Sequence, residues 1–224
     1  MRTIIRDLSK PAEFCLVLFV CYWWALIANI VSVVNGLRGT ARTAEATDIG
    51  MLGLFTVELL GLAAMFWILR VRGWSLATWG FQPSWRSTGA GVLLCLATVA
   101  VIDAAIILAK AIHPGIVPSH PALVSHVSLP FLILNAASNP VFEETLEAGY
   151  FIQSLQRYGM WCAVLAGAFF RAALHTLYLS GYVVAVNFAI GLIFGLVYWK
   201  WRKLWPLIIA HAIFDFHALF PHAA

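Results

Sequence analysis

The 224-residue chain is 62% hydrophobic and 11% charged, whereas soluble domains carry about 25% charged residues. The composition therefore excludes an ordinary soluble domain and predicts an integral membrane protein. The net charge of +4 does not indicate nucleic-acid binding, because the basic residues lie at the ends of apolar segments and form no patch with interleaved aromatic residues. The four cysteines lie in apolar segments without C-x-x-C spacing, which predicts neither a disulfide framework nor a thiolate metal site.

Seven apolar segments follow one another along the chain, and each is long enough for the roughly 20 residues that a helix needs to cross a bilayer. They cover residues 14–34, 50–69, 89–109, 128–156, 160–179, 182–199 and 204–220. We therefore predict an all-α fold, a polytopic transmembrane helix bundle of about seven spans. No internal repeat or domain boundary interrupts it, so residues 1–224 are predicted to form a single integral membrane domain.

Local features add detail to this bundle. Residues 70–88 combine tryptophan and arginine, a mixture suited to the headgroup level of a bilayer, and we predict an interfacial connector there. Pro140 in the fourth segment predicts a kink. The small-residue spacing of Gly191-Leu-Ile-Phe-Gly195 in the sixth segment predicts close helix packing inside the bundle.

Lysine and arginine residues near the span ends are unevenly divided between the two sides of the predicted bundle. With the N-terminus in the cytoplasm, the cytoplasmic side carries Arg2, Arg6, Lys10, Arg70, Arg72, Arg86, Arg157, Lys200, Arg202 and Lys203. The opposite side carries Arg38, Arg42 and Lys110. Because cytoplasmic loops are enriched in basic residues, we predict a cytoplasmic N-terminus, in a bacterial-type inner or plasma membrane.

Two adjacent glutamates in the fourth segment, Glu143 and Glu144, are the most costly residues of the chain, and Glu147 follows one turn later. A carboxylate near the centre of a bilayer costs a few kcal/mol, so such residues normally face a polar cavity or a partner. On a helix the three carboxyls share one broad face. The adjacent pair predicts a functional site, whereas pairing with a basic residue explains Glu147 equally well.

Two further pairs of polar residues have helical spacing. Arg171 and His175 lie four residues apart in the fifth segment, and His211 and Asp215 do so in the seventh, so each pair shares one helix face. Counted from the predicted cytoplasmic ends, both pairs and the glutamates lie at depths that allow one common cavity. A carboxylate base, imidazoles and an orienting carboxylate are the groups that acid–base or metal-assisted hydrolysis requires.

Each of these residues also has a simpler interpretation. A histidine in a span can serve as an interhelical hydrogen-bond partner, Asp215 can merely fix the tautomer of His211, and Arg171 can neutralise any buried acid. Glu58 and Asp103, in the second and third segments, have no companions in the sequence. We predict structural pairing for both.

The motifs resemble those of the CPBP family of intramembrane endopeptidases, also called the CAAX-protease and bacteriocin-processing or Abi family. The family pattern is Glu-Glu-x-x-x-Arg-Gly, then Phe-x-x-x-His, then His-x-x-x-Asn/Asp. The corresponding segments here are Glu143-Glu144-Thr145-Leu146-Glu147-Ala148-Gly149, Arg171-Ala-Ala-Leu-His175 and His211-Ala-Ile-Phe-Asp215. The resemblance covers residues 139–215, implies a CAAX-protease-like bundle, and places a family-like catalytic core at about residues 128–220.

Two positions depart from the family pattern, since Ala148 stands where arginine is expected and Arg171 where phenylalanine is expected. We hypothesise that the guanidinium has moved from the fourth segment to the fifth, where Arg171 supplies the supporting charge by pairing with a motif glutamate across the cavity. The hypothesis predicts that Arg171→Phe abolishes activity and that adding Ala148→Arg restores part of it.

The resemblance implies hydrolysis of a peptide bond within or near the membrane. Glu143 and Glu144 would supply the base that activates water, and His175 would orient that water. His211 would stabilise the oxyanion, and Asp215 would hold His211. Zinc is a conceivable cofactor, with Glu143 or Glu144, His175 and His211 as ligands, but the spacing does not demand a metal and contains no HExxH motif.

The implied partners are the lipid bilayer and a membrane protein or peptide that serves as substrate, with no nucleic acid. A catalytically inactive scaffold or immunity protein of the same fold is the alternative, because the two departures are compatible with a loss of activity. A proton-coupled transporter is a third hypothesis, since acids and histidines in spans also form proton relays. The two halves of the sequence show no inverted repeat that would favour it.

Overall fold

The computed structural model describes residues 2–40, 45–113 and 124–219, which are almost entirely helical. The helices are α1 (Arg2–Arg6), α2 (Lys10–Leu37), α3 (Asp48–Val71), α4 (Trp85–Ile112), α5 (Leu129–Glu144), α6 (Gln153–Leu155), α7 (Met160–Leu174), α8 (Gly181–Trp201) and α9 (Trp205–Leu219). A π-helix, Thr145–Ile152, joins α5 to α6, and single 3-10 turns lie at Gln156–Tyr158 and Thr176–Tyr178. Arg42, which the orientation prediction uses, lies outside the described residues.

The predicted all-α membrane bundle is confirmed. Within the described part of the chain, five helical stretches are long and apolar enough to cross a membrane: Lys10–Leu37, Asp48–Val71, Trp85–Ile112, Met160–Tyr178 and Gly181–Trp201. The remaining two predicted spans take a different form. The fourth is divided between α5, the π-helix and α6, and the seventh contains the 15-residue α9. The divided fourth segment and the short α9 carry the glutamate pair, His211 and Asp215.

Hydroxyl side chains define where several of the long helices begin. Ser9, Thr47, Ser84 and Ser180 each adopt an extended backbone and accept a hydrogen bond from a main-chain N–H of the first helical turn. Each such bond satisfies one of the donors that a helix N-terminus leaves unpaired. The sequence therefore fixes the starts of α2, α3, α4 and α8 locally.

Two short strands were not predicted from the sequence. β1 (Glu45–Thr47) pairs in parallel with β2 (Val124–His126), and the two strands precede α3 and α5. The carboxylate of Asp48 extends this junction by accepting hydrogen bonds from the backbone N–H of Ser128 at 2.7 Å and from its hydroxyl at 2.9 Å. The starts of α3 and α5 are thus fixed side by side, with the two helices running in the same direction.

A partly buried ion pair joins several segments at the opposite end of the bundle. Arg72, just after α3, pairs with Glu13 of α2 and also donates to the carbonyls of Ile5 and Arg6, at 3.2 and 2.8 Å. The hydroxyl of Tyr150 on the π-helix donates to Glu13 Oε1 at 3.3 Å. We call these five residues the Glu13 cluster. It ties the N-terminus to the ends of α3 and of the fourth segment.

The connector between α3 and α4, predicted to be interfacial, is partly built into the bundle. Trp79 is 2% exposed, whereas Trp85 at the start of α4 is 93% exposed. The backbone N–H of Leu204 donates to the Gly80 carbonyl at 3.0 Å. Gly80 has φ +71°, and a Cβ there would lie 1.9 Å from the Arg202 carbonyl oxygen, so only glycine fits. The connector therefore anchors the turn that leads into α9.

The predicted close packing at Gly191 and Gly195 is confirmed, and the partner is α7 of the same chain. A Cβ at Gly191 would lie 2.8 Å from Ala168 Cα, and one at Gly195 would lie 3.0 Å from Val164 Cγ1. The glycines therefore let the backbones of α7 and α8 approach closely. The Cβ position at Gly191 also lies 3.5 Å from Cδ of Arg171, so the approach sets where the Arg171 side chain runs.

Pro140 does not end α5, which continues to Glu144. The change comes one residue later, at the start of the π-helix Thr145–Ile152. The irregularity predicted at Pro140 therefore lies after the glutamate pair. A π-helix is rare and often marks a functional site, and here it begins next to the most costly residues of the chain.

Candidate active site

Ionisable side chains from three helices meet inside the bundle. α5 contributes Glu143 and Glu144 at its C-terminal end, α7 contributes Arg171 in its last turn, and α9 contributes His211 and Asp215 one turn apart. The side chains of Glu144 and Arg171 are 1% and 3% exposed, but those of Glu143 and Asp215 are 16% and 20% exposed. The cluster is therefore closed at Glu144 and more open at Glu143 and Asp215.

Arg171 holds three glutamates together. Its Nη2 pairs with Glu144 Oε1 and lies 3.7 Å from Glu143 Oε2, while its Nε donates to Glu147 Oε2 at 2.6 Å. The planar guanidinium presents these donors in a fixed arrangement, so it sets the mutual positions of the carboxylates. The contact that the displaced-guanidinium hypothesis requires is present. Glu147 is paired with a base, as its simpler interpretation predicts.

His211 lies between two carboxylates. Its Nδ1 is 2.8 Å from Glu144 Oε1, and its Nε2 is 3.3 Å from Asp215 Oδ1. Asp215 in turn accepts a hydrogen bond from Asn139 Nδ2 at 3.1 Å. The ring of His211 is therefore held from both sides, with its shorter contact to Glu144. No role was predicted for Asn139, whose only signal in the sequence is its position one turn before Glu143.

Glu143 differs from Glu144 in having an available acceptor. Oε2 of Glu143 is buried and has no hydrogen-bond partner among the described residues. It lies 3.8 Å from Nε2 of His211 and 3.7 Å from Nη2 of Arg171. Oε1 of Glu144, in contrast, receives both Arg171 and His211. Of the two motif glutamates, Glu143 is the one that can accept a hydrogen bond from water without losing another partner.

His175 borders the cluster without a hydrogen bond to it. α7 ends at Leu174, and His175 forms its C-cap. Nδ1–H of His175 donates to the Arg171 carbonyl at 2.9 Å, since a carbonyl oxygen can only accept, and Nε2 is then the acceptor nitrogen of the ring. His175 interacts electrostatically with Glu147 and His211. The structure therefore places it beside the other predicted site residues, bound to the main chain of Arg171 but without a hydrogen bond to their side chains among the described residues.

The two acids for which structural pairing is predicted, Glu58 and Asp103, form no ion pair with any other of the described residues. The side chain of Glu58 is 2% exposed, and its Oε2 has no hydrogen-bond partner. Asp103 lies on the exposed surface of α4. Glu58 is near enough to Glu143 and His211 to interact with them electrostatically, although no motif includes it.

A small cavity touches the closed side of the cluster. It has a volume of about 10 Å³ and is lined by residues that include Glu144, Ala148, Arg171 and Gly191. This is room for about one water molecule. Ala148, at the position of the motif arginine, therefore faces the space beside the guanidinium of Arg171. An arginine side chain at position 148 would need more room than this cavity offers, which removal of the Arg171 side chain would provide.

The donor atoms do not fit a catalytic zinc site. Among the described residues, no three His, Cys, Asp or Glu side chains are grouped so that they could hold a metal ion. Both ring nitrogens of His211 face carboxylates, Glu144 is paired with Arg171, and His175 lies apart from them. A catalytic zinc needs three converging protein ligands and an open position, and these side chains do not converge.

Comparison with known families gives a match to the second half of the chain. Residues 125–217, somewhat under half of the chain, match the family model described as Type II CAAX prenyl endopeptidase Rce1-like. The matched segment contains all three motifs and confirms the predicted family resemblance over its length. No match was found among curated proteins or among solved structures. Together with the five apolar helices, the family match identifies an integral membrane protein with a membrane-protease fold.

Proposed function

We propose that the protein is an intramembrane endopeptidase that hydrolyses a peptide bond of a membrane-associated protein or peptide, with a water molecule activated by Glu143. One observation carries this proposal: Oε2 of Glu143 is a buried carboxylate oxygen without a hydrogen-bond partner, 3.8 Å from Nε2 of His211. The free oxygen of Glu143 can accept a proton from water. The ring nitrogen of His211 can donate a hydrogen bond to the negative charge that develops on a carbonyl oxygen.

The two motif glutamates have different roles in this proposal. Glu143 is the general base, because its free oxygen is available to water. Glu144 is a positioning residue, because Arg171 and His211 both bind the same oxygen, Oε1. Arg171 offsets the negative charge of both, which reduces the cost of keeping adjacent carboxylates in the bundle.

The reaction begins when water donates a hydrogen bond to Oε2 of Glu143 and a second one to Nε2 of His175, which is the acceptor nitrogen of that ring. Water then attacks the carbonyl carbon of the scissile peptide bond and transfers a proton to Glu143. The carbonyl oxygen becomes an oxyanion, which shares the Nε2–H of His211 with Oδ1 of Asp215, 3.3 Å from that nitrogen. Asp215, held by Asn139, keeps the ring of His211 in the orientation that this step needs.

No step of this mechanism is routed through a metal, because the donor atoms of His211, His175 and Glu144 do not converge on one point. Two His side chains and one Glu would be enough ligands for zinc if they converged. The metalloprotease interpretation therefore requires a rearrangement that releases His211 from Glu144 and brings His175 to it.

We propose that the peptide bond is cleaved within a bacterial-type inner or plasma membrane. The N-terminus then lies on the cytoplasmic side of that membrane. The Glu13 cluster, the connector and the turn before α9 lie at the same end of the bundle. This is the end that carries most of the basic residues near the helix ends, which supports the orientation. The bilayer and a membrane-associated peptide are then the partners of the site.

Comparative peptidomics of membranes that contain the wild-type protein or Glu143→Gln tests the proposal. We expect new peptide C-termini that depend on the wild type and disappear with the variant, at equal amounts of accumulated protein. An inactive scaffold, the alternative that the departures at Ala148 and Arg171 favour, predicts identical peptides from both. It also predicts that any cellular effect of the protein survives Glu143→Gln, which would overturn the proposed function.

A further inference from the structure

Glu58 is a buried acid that the proposed mechanism leaves unused. It lies on α3, its side chain is 2% exposed, and its Oε2 has no hydrogen-bond partner among the described residues. An unpaired buried carboxyl is costly to keep in a protein interior, and in a membrane span such a group indicates function by default. Its position relative to Glu143 decides what that function can be.

The register between α3 and α5 sets the position of Glu58. At one end, Asp48 binds Ser128, and further along a Cβ at Gly61 would lie 3.3 Å from the ring of Phe142. Each contact pairs a residue of α3 with the residue about 80 positions later in the chain, so the two parallel helices keep nearly the same register at both points. Glu58 lies one turn before Gly61, so it lies at the level of residues 138–139.

This level is that of the active site. Asn139 holds Asp215, and Glu143 follows one turn later on α5. Glu58 accordingly interacts electrostatically with Glu143, His211 and Asp215. The hydroxyl of Ser138 is likewise buried without a hydrogen-bond partner. Buried polar atoms without hydrogen-bond partners among the described residues therefore occur on α3 and α5 at the same level along the two helices.

The charges of the surrounding cluster determine whether the carboxyl of Glu58 is protonated. Glu143, Glu144, Glu147 and Asp215 already outnumber the cationic groups Arg171 and His211. A further carboxylate at Glu58 would be a buried anion without a cation in contact, which is far more costly than a neutral carboxyl. Glu58 therefore carries its proton while the site is at rest.

We propose that Glu58 is a further catalytic residue, the general acid that protonates the departing amine. This inference rests on the proposed peptidase function. When the tetrahedral intermediate collapses, the C–N bond breaks, its electron pair stays on nitrogen, and the nitrogen takes the proton of Glu58. The proton that Glu143 removed from water then passes to the Glu58 carboxylate. One water molecule is consumed, a carboxylic acid and an amine are released, and both glutamates return to their starting states.

Two substrates with the same acyl part separate this role from a structural one. A peptide has an amine leaving group that needs a proton, whereas a nitrophenyl ester has a leaving group that departs without one. We expect Glu58→Gln to lower kcat on the peptide about 100-fold with KM unchanged, and to leave hydrolysis of the ester within about threefold of wild type. Glu58→Asp, which retains an acid, should recover at least tenfold of the lost kcat on the peptide.

Asp103→Asn is the matched control, since it makes the same acid-to-amide change on the exposed surface of α4, and it should leave both rates unchanged. Equal peptide cleavage by wild type and Glu58→Gln would overturn the role of Glu58 alone, as would an equal loss on peptide and ester. If Glu58→Gln does not accumulate, the same comparison is made with Glu58→Asp, for which a loss confined to the peptide supports the role. Equal cleavage by wild type and Glu143→Gln would instead overturn the proposed function, and the role of Glu58 with it.

Discussion

The chain contains two clusters in which an arginine pairs with buried glutamate, one glutamate in the first and several in the second, and their comparison separates a structural role from a chemical one. In the Glu13 cluster, Arg72 binds Glu13 and two backbone carbonyls, and Tyr150 donates to the other oxygen of Glu13. Both carboxylate oxygens of Glu13 are thus satisfied. In the candidate active site, Arg171 is shared among several acids, and Oε2 of Glu143 has no hydrogen-bond partner among the described residues.

The difference between the two clusters lies in where hydrogen-bonding capacity is left over. A buried charge whose partners are complete holds segments together, as Glu13 holds α2 to Arg72. A buried carboxylate oxygen without a partner would be an unexplained cost in a structural cluster. Next to a histidine it provides a place for water. The unpaired Oε2 of Glu143 therefore indicates where water can be activated more directly than the number of buried charges does.

Replacing the two arginines should give the largest contrast. Arg171→Phe leaves three glutamates without their shared cation, so we expect loss of activity and a decrease in stability of about 3 to 5 kcal/mol. Adding Ala148→Arg should restore part of the activity, because the replaced side chain vacates the space that Ala148 faces. Peptide cleavage and thermal unfolding in detergent measure both effects.

Arg72→Phe is the control for that experiment, since it removes the arginine of the Glu13 cluster. It should lower the unfolding temperature but leave kcat of the folded fraction near wild type. The displaced-guanidinium hypothesis is wrong if the double variant Arg171→Phe/Ala148→Arg accumulates in folded form and recovers no activity.

Replacing one glutamate in each cluster isolates the free oxygen. Glu143→Gln removes the general base and should lower kcat by up to about 10⁴-fold, with the protein still folded. Glu13→Gln makes the same chemical change where both oxygens are already bound, and should cost about 2 kcal/mol of stability without changing kcat. Initial rates at saturating substrate and unfolding curves provide the comparison. Similar losses of kcat in both variants would remove the distinction between the clusters.

His211→Asn tests the proposed oxyanion contact. Asparagine cannot reproduce the ring with its two donor nitrogens, so we expect kcat to fall about 10² to 10³-fold with little change in KM. Measurement of kcat and KM separately is the decisive readout, because an oxyanion contact exists only in the transition state. A rise in KM at constant kcat would instead assign His211 to substrate binding.

Asp215→Asn should have the smallest effect. Asparagine retains an oxygen that can accept from Nε2 of His211, and the family pattern allows either residue at this position. A neutral acceptor binds more weakly than a charged one by about 1 kcal/mol, so kcat should fall roughly fivefold. Asp215→Ala removes the acceptor entirely, so its kcat should lie well below that of Asp215→Asn. Equal rates for the two variants would show that Asp215 does not position His211.

Local patterns in the sequence predicted much of the site. Composition predicted the apolar helices, and helical spacing predicted that His211 and Asp215 would meet. The departure at Ala148 suggested that Arg171 would reach a motif glutamate, and that contact is present. These predictions succeeded because each depends on spacing within one helix or on the cost of an unpaired charge.

Features that depend on tertiary packing were missed. Glu58 has no sequence neighbour that marks it, since its relation to Glu143 depends on the register of α3 against α5. The strands that set this register are three residues each, too short for a periodic pattern. The sequence predicted a kink at Pro140, whereas the irregularity is a π-helix that begins after Glu144. No residue at its start marks a π-helix in the sequence.

Isotope labelling of the cleavage product tests the central claim, that Glu143 activates water for peptide hydrolysis, most directly. The purified protein in lipid nanodiscs is incubated in H₂¹⁸O with a peptide identified by the membrane comparison, and the products are analysed by mass spectrometry. We predict one ¹⁸O atom in the newly formed C-terminal carboxyl group with the wild type and no product above background with Glu143→Gln. Cleavage by Glu143→Gln at the wild-type rate would contradict the claim.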